Sequence, residues 1–121
     1  MNSRTAIASL AALAQESRLA IYRLLVEAGL TGLSVSEIGA SLRVSPATLS
    51  FHLKELAHAG LIAARQDGRY IFYSANYARM NALIGYLGEN CCARDGMDCA
   101  PGCGTPAQPK ALRAKRGSLK A

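Results

Sequence analysis

Four cysteines, Cys91, Cys92, Cys99 and Cys103, fall within thirteen residues near the end of the chain, and the sequence has no others. Thiolate is the softest ligand a side chain offers, and several together compete with water for a soft ion. The same density suits redox chemistry, since exposed thiols oxidise reversibly to disulfide or sulfenic acid. Four thiols can also close a structural zinc site, but zinc ligand pairs usually have two residues between them, and Cys91 and Cys92 are adjacent. In a regular helix neighbouring side chains point about 100° apart, so joint binding by that pair requires a helix end, which Gly88 and Asn90 predict.

The elements that must position this cluster are readable from period and punctuation. Ile7, Leu10, Leu13 and Ala14 recur at helical spacing, as in a helix packing one face on a partner. Ser17 to Ala28 reads as a helix with Leu19, Tyr22, Leu25 and Val26 on one buried face and Gly29 as its stop. Ser34-Val-Ser-Glu37 is a capping box opening a helix of about two turns that carries Val35, Ile38 and Leu42. After a short link at Arg43 and Val44, Ser45-Pro46 is an N-cap followed by proline at the first helical position, and this helix runs to about Ala59 with Gly60 beyond it. Two helices joined by so short a turn predict a helix-turn-helix. The segments LIAARQ and RYIFYSA flank Asp67-Gly68, the signature of a two-residue hairpin turn, and predict a β-hairpin wing. From Tyr77 to Glu89, Met80, Leu83, Ile84 and Leu87 describe a last amphipathic helix.

At 121 residues the chain accommodates one small domain. Its net charge of +6 suggests nucleic acid until it is located. Five of the fourteen basic residues, Lys110, Arg113, Lys115, Arg116 and Lys120, follow Cys103, leaving nine against eight acids before it. A DNA-binding reading must therefore rest on pattern and not on bulk charge. No apolar run is long enough for a membrane span. Residues 6–14, AIASLAALA, mimic a signal-peptide core but are alanine-rich and amphipathic, so they read as a helix of a cytoplasmic protein with reduced thiols. Residues 1–90 read as one patterned domain, 91–103 as a cysteine-rich segment, and 104–121, rich in Gly, Pro, Ala and Lys without periodicity, as a basic disordered tail.

Three segments then carry a family resemblance: Leu13-Ala-Gln-Glu-Ser-Arg-Leu-Ala-Ile-Tyr22, Ser45-Pro-Ala-Thr-Leu-Ser-Phe-His-Leu-Lys54, and Ala59-Gly-Leu-Ile62 followed by Gly68-Arg-Tyr-Ile-Phe-Tyr73. Together they resemble the winged helix-turn-helix of the ArsR/SmtB family, over about three-quarters of the chain. The resemblance implies a mainly α fold with a β-hairpin, a homodimer formed through the first and last helices, and repression of a palindromic operator relieved when an inducer ion binds. Two known sensing sites of that family have no counterpart. The third helix holds Leu33-Ser-Val-Ser36 in place of Cys-x-Cys, and both histidines, His52 and His58, lie in the recognition helix and not in the last one. Asn90-Cys91-Cys92 instead resembles the arsenic-responsive subgroup.

With Leu49, Leu53 and Leu56 as the buried stripe of the recognition helix, Ala47, Phe51, Lys54 and His58 lie opposite, flanked by Thr48 and Ser50. Hydroxyls read base edges, small or aromatic groups meet thymine methyl, and lysine reaches phosphate, so Ala47, Thr48, Ser50, Phe51 and Lys54 are expected to contact DNA. Packing against the wing is the alternative for Phe51, and His52 reads as a structural histidine. Arg65, Gln66 and Arg69 crowd the hairpin tip, where a wing grips phosphates. Trivalent arsenic, as arsenite, or antimonite takes three sulfurs in a shallow pyramid. Cys91 and Cys92 are expected to supply two, with Cys99, which closes the smaller loop, as the third and Cys103 as its alternative. The rivals are a redox or persulfide input to the same fold and a thiol metal-sequestering protein, the latter having no need of a polar outer face on the recognition helix. An enzyme is not expected, because no base, nucleophile pair or phosphate loop appears. Truncation after Gly104 removes the five tail cations but no sulfur, so operator recognition and inducer response should survive it. Only nonspecific DNA affinity should fall, as binding to unrelated duplex will show.

Overall fold

In the computed structural model, which describes residues 1–94, the elements run α1 (Ser3–Leu13), α2 (Glu16–Ala28), β1 (Leu33–Ser34), α3 (Val35–Leu42), α4 (Pro46–His58), β2 (Ile62–Asp67), β3 (Tyr70–Ala75) and α5 (Tyr77–Gly88). Two compact units are present, Met1–Met80 and the residues from Asn81 onward. Cys99, Cys103 and the basic tail lie outside the described residues.

The first unit is built around one apolar core. Ile21, Leu25, Ile38, Leu49, Leu53, Leu56 and Leu61 are fully buried, with Tyr22, Ile62 and Ala75 beside them. Each large side chain so buried stabilises the fold by roughly 1.5–3 kcal/mol relative to exposure. The Tyr22 hydroxyl is buried without a hydrogen-bond partner among the described residues. Its burial, and after that the neighbouring Tyr77, raises its pKa above the ordinary value of 10.0. Stability tied to the protonated phenol is thus present below pH 10 and lost as pH rises further.

The capping box forms as expected: Ser34 Oγ accepts from the Glu37 amide at 3.2 Å, and Glu37 Oε1 accepts from the Ser34 amide at 2.8 Å. The same Ser34 does something its sequence did not announce. With Leu33 it forms β1, which pairs antiparallel with β3, Leu33 opposite Tyr73 and Ser34 opposite Phe72. The wing is therefore part of a three-stranded sheet of order β1-β3-β2 and not an isolated hairpin. A two-residue strand has too little length to show a period, and its pairing depends on residues distant in sequence.

The hairpin turn sits one residue later than the Asp67-Gly68 signature suggests. Asp67 pairs with Tyr70, so Gly68 and Arg69 form the loop, and Gly68 takes the positive φ of 64° that the first position of a type II′ turn requires. Helix faces are also rephased. In α2 the buried side chains are Ile21, Tyr22 and Leu25, whereas Leu19 is 45% exposed. That helix starts at Glu16, capped by the Gln15 side chain, which accepts from the Arg18 amide at 2.8 Å. In α1 the buried residues are Ala6, Ser9 and Ala12, while Ile7 is 65% exposed. Small residues let α1 lie close on α2 and α4, Leu13 packs against the core, and Ile7 and Leu10 face outward. In the second unit Leu83 is buried, while Ile84 and Leu87 are about 60% exposed.

Gly32 tests how tightly β1 is seated. Its φ is +72°, and a Cβ there would collide with the Tyr73 carbonyl, whereas Gly29, at φ +82°, has open space around it. Gly29→Ala should cost only backbone strain, about 1–3 kcal/mol. Gly32→Ala adds a clash with backbone and should lower Tm well below that of Gly29→Ala, as a thermal melt will report.

Candidate nucleic-acid interface and thiol pair

The turn before α4 is held locally. Arg43 closes α3 in the left-handed region at φ 55°, and the Val44 amide donates to the Gly39 carbonyl at 3.3 Å. Ser45 Oγ then caps α4, accepting from the Thr48 amide at 3.4 Å and donating to Thr48 Oγ1 at 3.0 Å. Because Thr48 Oγ1 accepts this bond, its own hydrogen remains available to an acceptor on a ligand.

Burial of Leu49, Leu53 and Leu56 turns the opposite side of α4 outward. Ala47, Thr48, Ser50, Phe51, Lys54 and His58 are all exposed, Phe51 at 55%. The Phe51 ring lies 5.6 Å from that of His52 and is the large apolar group on this polar face. His52 is buried, and its Nδ1 lies 3.4 Å from Arg18 Nη1, while Arg18 Nε donates to the Ala12 carbonyl at 2.7 Å. His52 is thus part of a joint between α4, α2 and the end of α1. No sequence pattern marks Arg18, because a partially buried arginine inside an amphipathic helix carries no period of its own.

Beside this face a groove of about 520 Å³ runs between α4 and β3, lined by Ser50, Lys54, Ala57, His58 and Tyr73. A second, of about 600 Å³, lies between α3, the start of α4 and the wing, with Val35, Val44 and Leu49 on its apolar side and Arg69 at its rim. The two wing arginines differ. Arg65 Nη2 donates to the Thr31 carbonyl at 2.8 Å, its guanidinium lies 5.0 Å from the Phe72 ring centre, and Nη1 is 4.0 Å from Asp67 Oδ2. That ion pair is solvent-exposed and contributes little. Gln66 Nε2 donates to the Gly68 carbonyl at 3.3 Å. Arg69 is exposed at the turn and makes no hydrogen bond or ion pair among the described residues.

In the second unit α5 ends at Gly88. The Glu89 amide donates to the Tyr86 carbonyl, Cys91 to Gly88 and Ala93 to Asn90, and both Asn90 and Cys92 adopt left-handed φ near 60°. This departure from helix brings Cys91 Sγ and Cys92 Sγ to 3.7 Å. For a metal-sulfur bond of about 2.3 Å, two sulfurs at that distance subtend roughly the tetrahedral angle, so the pair fits a single soft ion. Among the described residues no three of His, Cys, Asp and Glu converge, and the expected third sulfur, Cys99 or Cys103, lies outside them.

A helix-turn-helix with a buried leucine stripe, a polar outer face and a flanking wing defines a winged-helix DNA-binding protein. A profile of the helix-turn-helix domain matches residues 13–65. The transcriptional activator HlyU of Vibrio cholerae is 35% identical over 86 residues, which cover 71% of this chain and 77% of that protein. The structure of HlyU from Vibrio cholerae N16961 superposes with a TM-score of 0.61 at 34% identity, covering 75% of this chain and 96% of that one. A Halobacterium salinarum protein named ArsR, a candidate arsenical-resistance operon repressor, is 40% identical over 75 residues, 62% of this chain and 57% of that protein. The homodimeric winged helix-turn-helix domain Mb0332 of Mycobacterium bovis matches with a TM-score of 0.57 at 25% identity, covering 79% of this chain and 89% of that one. The chain belongs to the ArsR/SmtB family of transcriptional regulators. Its relatives are regulators and not enzymes, and among the described residues no helix is long and apolar enough to cross a membrane.

Each phosphate contact contributes about 0.9 to the slope of log K against log salt. Lys54→Ala and Arg69→Ala should each reduce that slope by close to this amount for every protomer bound to the duplex. Arg65→Ala should leave it nearly unchanged, since that guanidinium is engaged within the domain. Replacing both Thr48 and Ser50 with alanine should erode sequence preference more than salt dependence, and anisotropy titrations on operator and unrelated duplex separate the two effects.

Proposed function

We propose that the protein is a homodimeric, cytoplasmic repressor of an arsenic-resistance operon, released from double-stranded operator DNA when arsenite or antimonite is captured by Cys91, Cys92 and Cys99, with Cys103 as the alternative third ligand. The observation that carries this reading is the pair of sulfurs 3.7 Å apart at the end of α5. Support comes also from the Asn90-Cys91-Cys92 sequence, from the absence of thiols in α3, and from likeness to the Halobacterium arsenical-resistance protein. The alternative of activation, the role named for HlyU, differs in sign at the promoter but uses the same DNA face.

Homodimerisation through the first and last helices is supported by the exposure of Ile7 and Leu10 on α1 and of Ile84 and Leu87 on α5, and by the homodimeric Mb0332 domain. Apolar surface of that kind is stabilised when a second copy covers it. A ligand releases DNA only by binding one state of the dimer better than the other, and each tenfold loss of operator affinity requires about 1.4 kcal/mol of that difference. The protein's part is to hold two thiolates at the helix end and bring in a third from the following segment. Ordering that segment changes the constraints on the dimerising helix.

Serine is close to cysteine in size, but its hydroxyl has no sulfur and stays un-ionised at neutral pH, so it cannot replace the thiolate as a soft ligand. Cys91→Ser and Cys92→Ser should each abolish arsenite-driven release in an anisotropy titration on DNA from the protein's own promoter region, while leaving binding without arsenite intact. If the shorter loop is used, Cys99→Ser cripples the response and Cys103→Ser spares it. Zinc, cadmium and peroxide in the same assay separate the metalloid reading from a structural zinc or an oxidative input. A protein that stays on its operator in arsenite and holds zinc on four sulfurs would overturn the proposal.

A further inference from the structure

The last carbonyls of any helix lack partners within it. At the end of α4 the chain turns through Gly60, at φ +80°, with the Gly60 amide donating to Ala57 at 2.9 Å and the Leu61 amide to Leu56 at 3.1 Å. Just beyond α4, the carbonyls of Ala59, Gly60 and Leu61 are all taken by Arg79 in the first turn of α5 and by Asn76 immediately before it. Arg79 Nη1 donates to the Ala59 carbonyl at 2.9 Å, Asn76 Nδ2 to the Gly60 carbonyl at 3.0 Å, and the Asn76 amide to the Leu61 carbonyl at 2.8 Å. Asn76 Oδ1 meanwhile accepts from the Arg79 amide at 3.1 Å, so one side chain both caps α5 and grips the exit of α4. The Arg79 guanidinium lies flat enough on the turn that a Cβ at Gly60 would come within 2.9 Å of Nη1. A cation at this end also opposes the negative pole of the α4 dipole.

We infer that Asn76 and Arg79 are positioning residues for DNA recognition: by clamping three consecutive carbonyls they fix the angle at which α4 leaves the domain. The outward face of α4 spans 13 residues from this clamp, about 20 Å of helix. A tilt of roughly 5° at the His58 end would therefore move the Pro46 end by about 1.7 Å, wider than the whole range of useful hydrogen-bond lengths. Base contacts near Ala47, Thr48 and Ser50 would be lost while phosphates, which tolerate displacement, stayed within reach. The inference rests on α4 being the DNA-reading helix and is independent of any inducer. Both residues are only partly buried and stand outside the apolar core, so the clamp can be weakened without emptying a core position.

The test uses the full chain, with folding checked by circular dichroism. Three variants are titrated by anisotropy on promoter DNA and on a scrambled duplex, across a salt series. Arg79→Ala should weaken promoter binding about tenfold, leave the scrambled duplex within about twofold, and keep the salt slope of the wild type. Arg79→Lys should restore most of the loss, since an ammonium still donates to the Ala59 carbonyl. Asn76→Asp keeps the cap of α5 but removes the donor to Gly60, and should reproduce the loss of preference if Arg79→Ala does not fold. A salt slope lowered by about 0.9 per bound protomer on both duplexes would make Arg79 a phosphate ligand and overturn the inference. Unchanged promoter affinity in the folded variants would overturn it as well, leaving the clamp a purely structural feature.

Discussion

Burial of Leu49, Leu53 and Leu56 is the constraint on which the DNA-facing surface depends. These three side chains are among the least exposed in the protein, and they belong to the helix that must also meet solvent on its other side. A helix has one azimuth per residue, so seating the leucines in the core sets the side of α4 on which Ala47, Thr48, Ser50, Phe51 and Lys54 lie. The core and the recognition surface are two faces of one element. Losing either leucine contact or the cap at Ser45 would disturb both.

The sheet adds a second restraint that a free hairpin would lack. Pairing of Leu33 and Ser34 with β3 ties the wing to the capping box of α3, so the strand that carries Tyr73 is hydrogen-bonded on both sides. A two-stranded ribbon alone is marginal in water. Arg65 reinforces the same join by reaching from β2 to the Thr31 carbonyl, just before β1. Arg69, at the turn, is exposed and makes no such contact. Two residues of the same type and near neighbours in sequence thus divide into one that holds the wing and one that extends from it.

The end of α5 follows a different logic. Adjacent cysteines cannot face one point from within a helix, yet their sulfurs lie 3.7 Å apart because Asn90 and Cys92 leave the helical region. Asparagine tolerates the left-handed conformation better than most residues, since its side chain bonds locally. Its place before Cys91-Cys92 is therefore a backbone requirement as much as a chemical one.

Much of this was legible from residues alone. The capping box at Ser34 and Glu37, the Ser45-Pro46 start of α4, the leucine stripe and the outward Phe51 all appear in the structure where the pattern puts them. Such features are local, each set by bonds or periodicity within one or two turns. The departures share a cause. Leu19 and Ile21 exchanged places, α1 turned its small residues inward, the hairpin loop moved to Gly68-Arg69, and β1 arose from two residues with no visible period. Each depends on which neighbour an element meets, and an amphipathic pattern names a face without naming its partner. The same holds for Arg18 beside His52 and for the grip of Asn76 and Arg79 on Ala59, Gly60 and Leu61. The sequence determined which helices form and what chemistry they carry, because capping and periodicity act over a few residues. Only the tertiary structure decided which carbonyl each long polar side chain satisfies, because that is settled by packing between segments far apart in the chain.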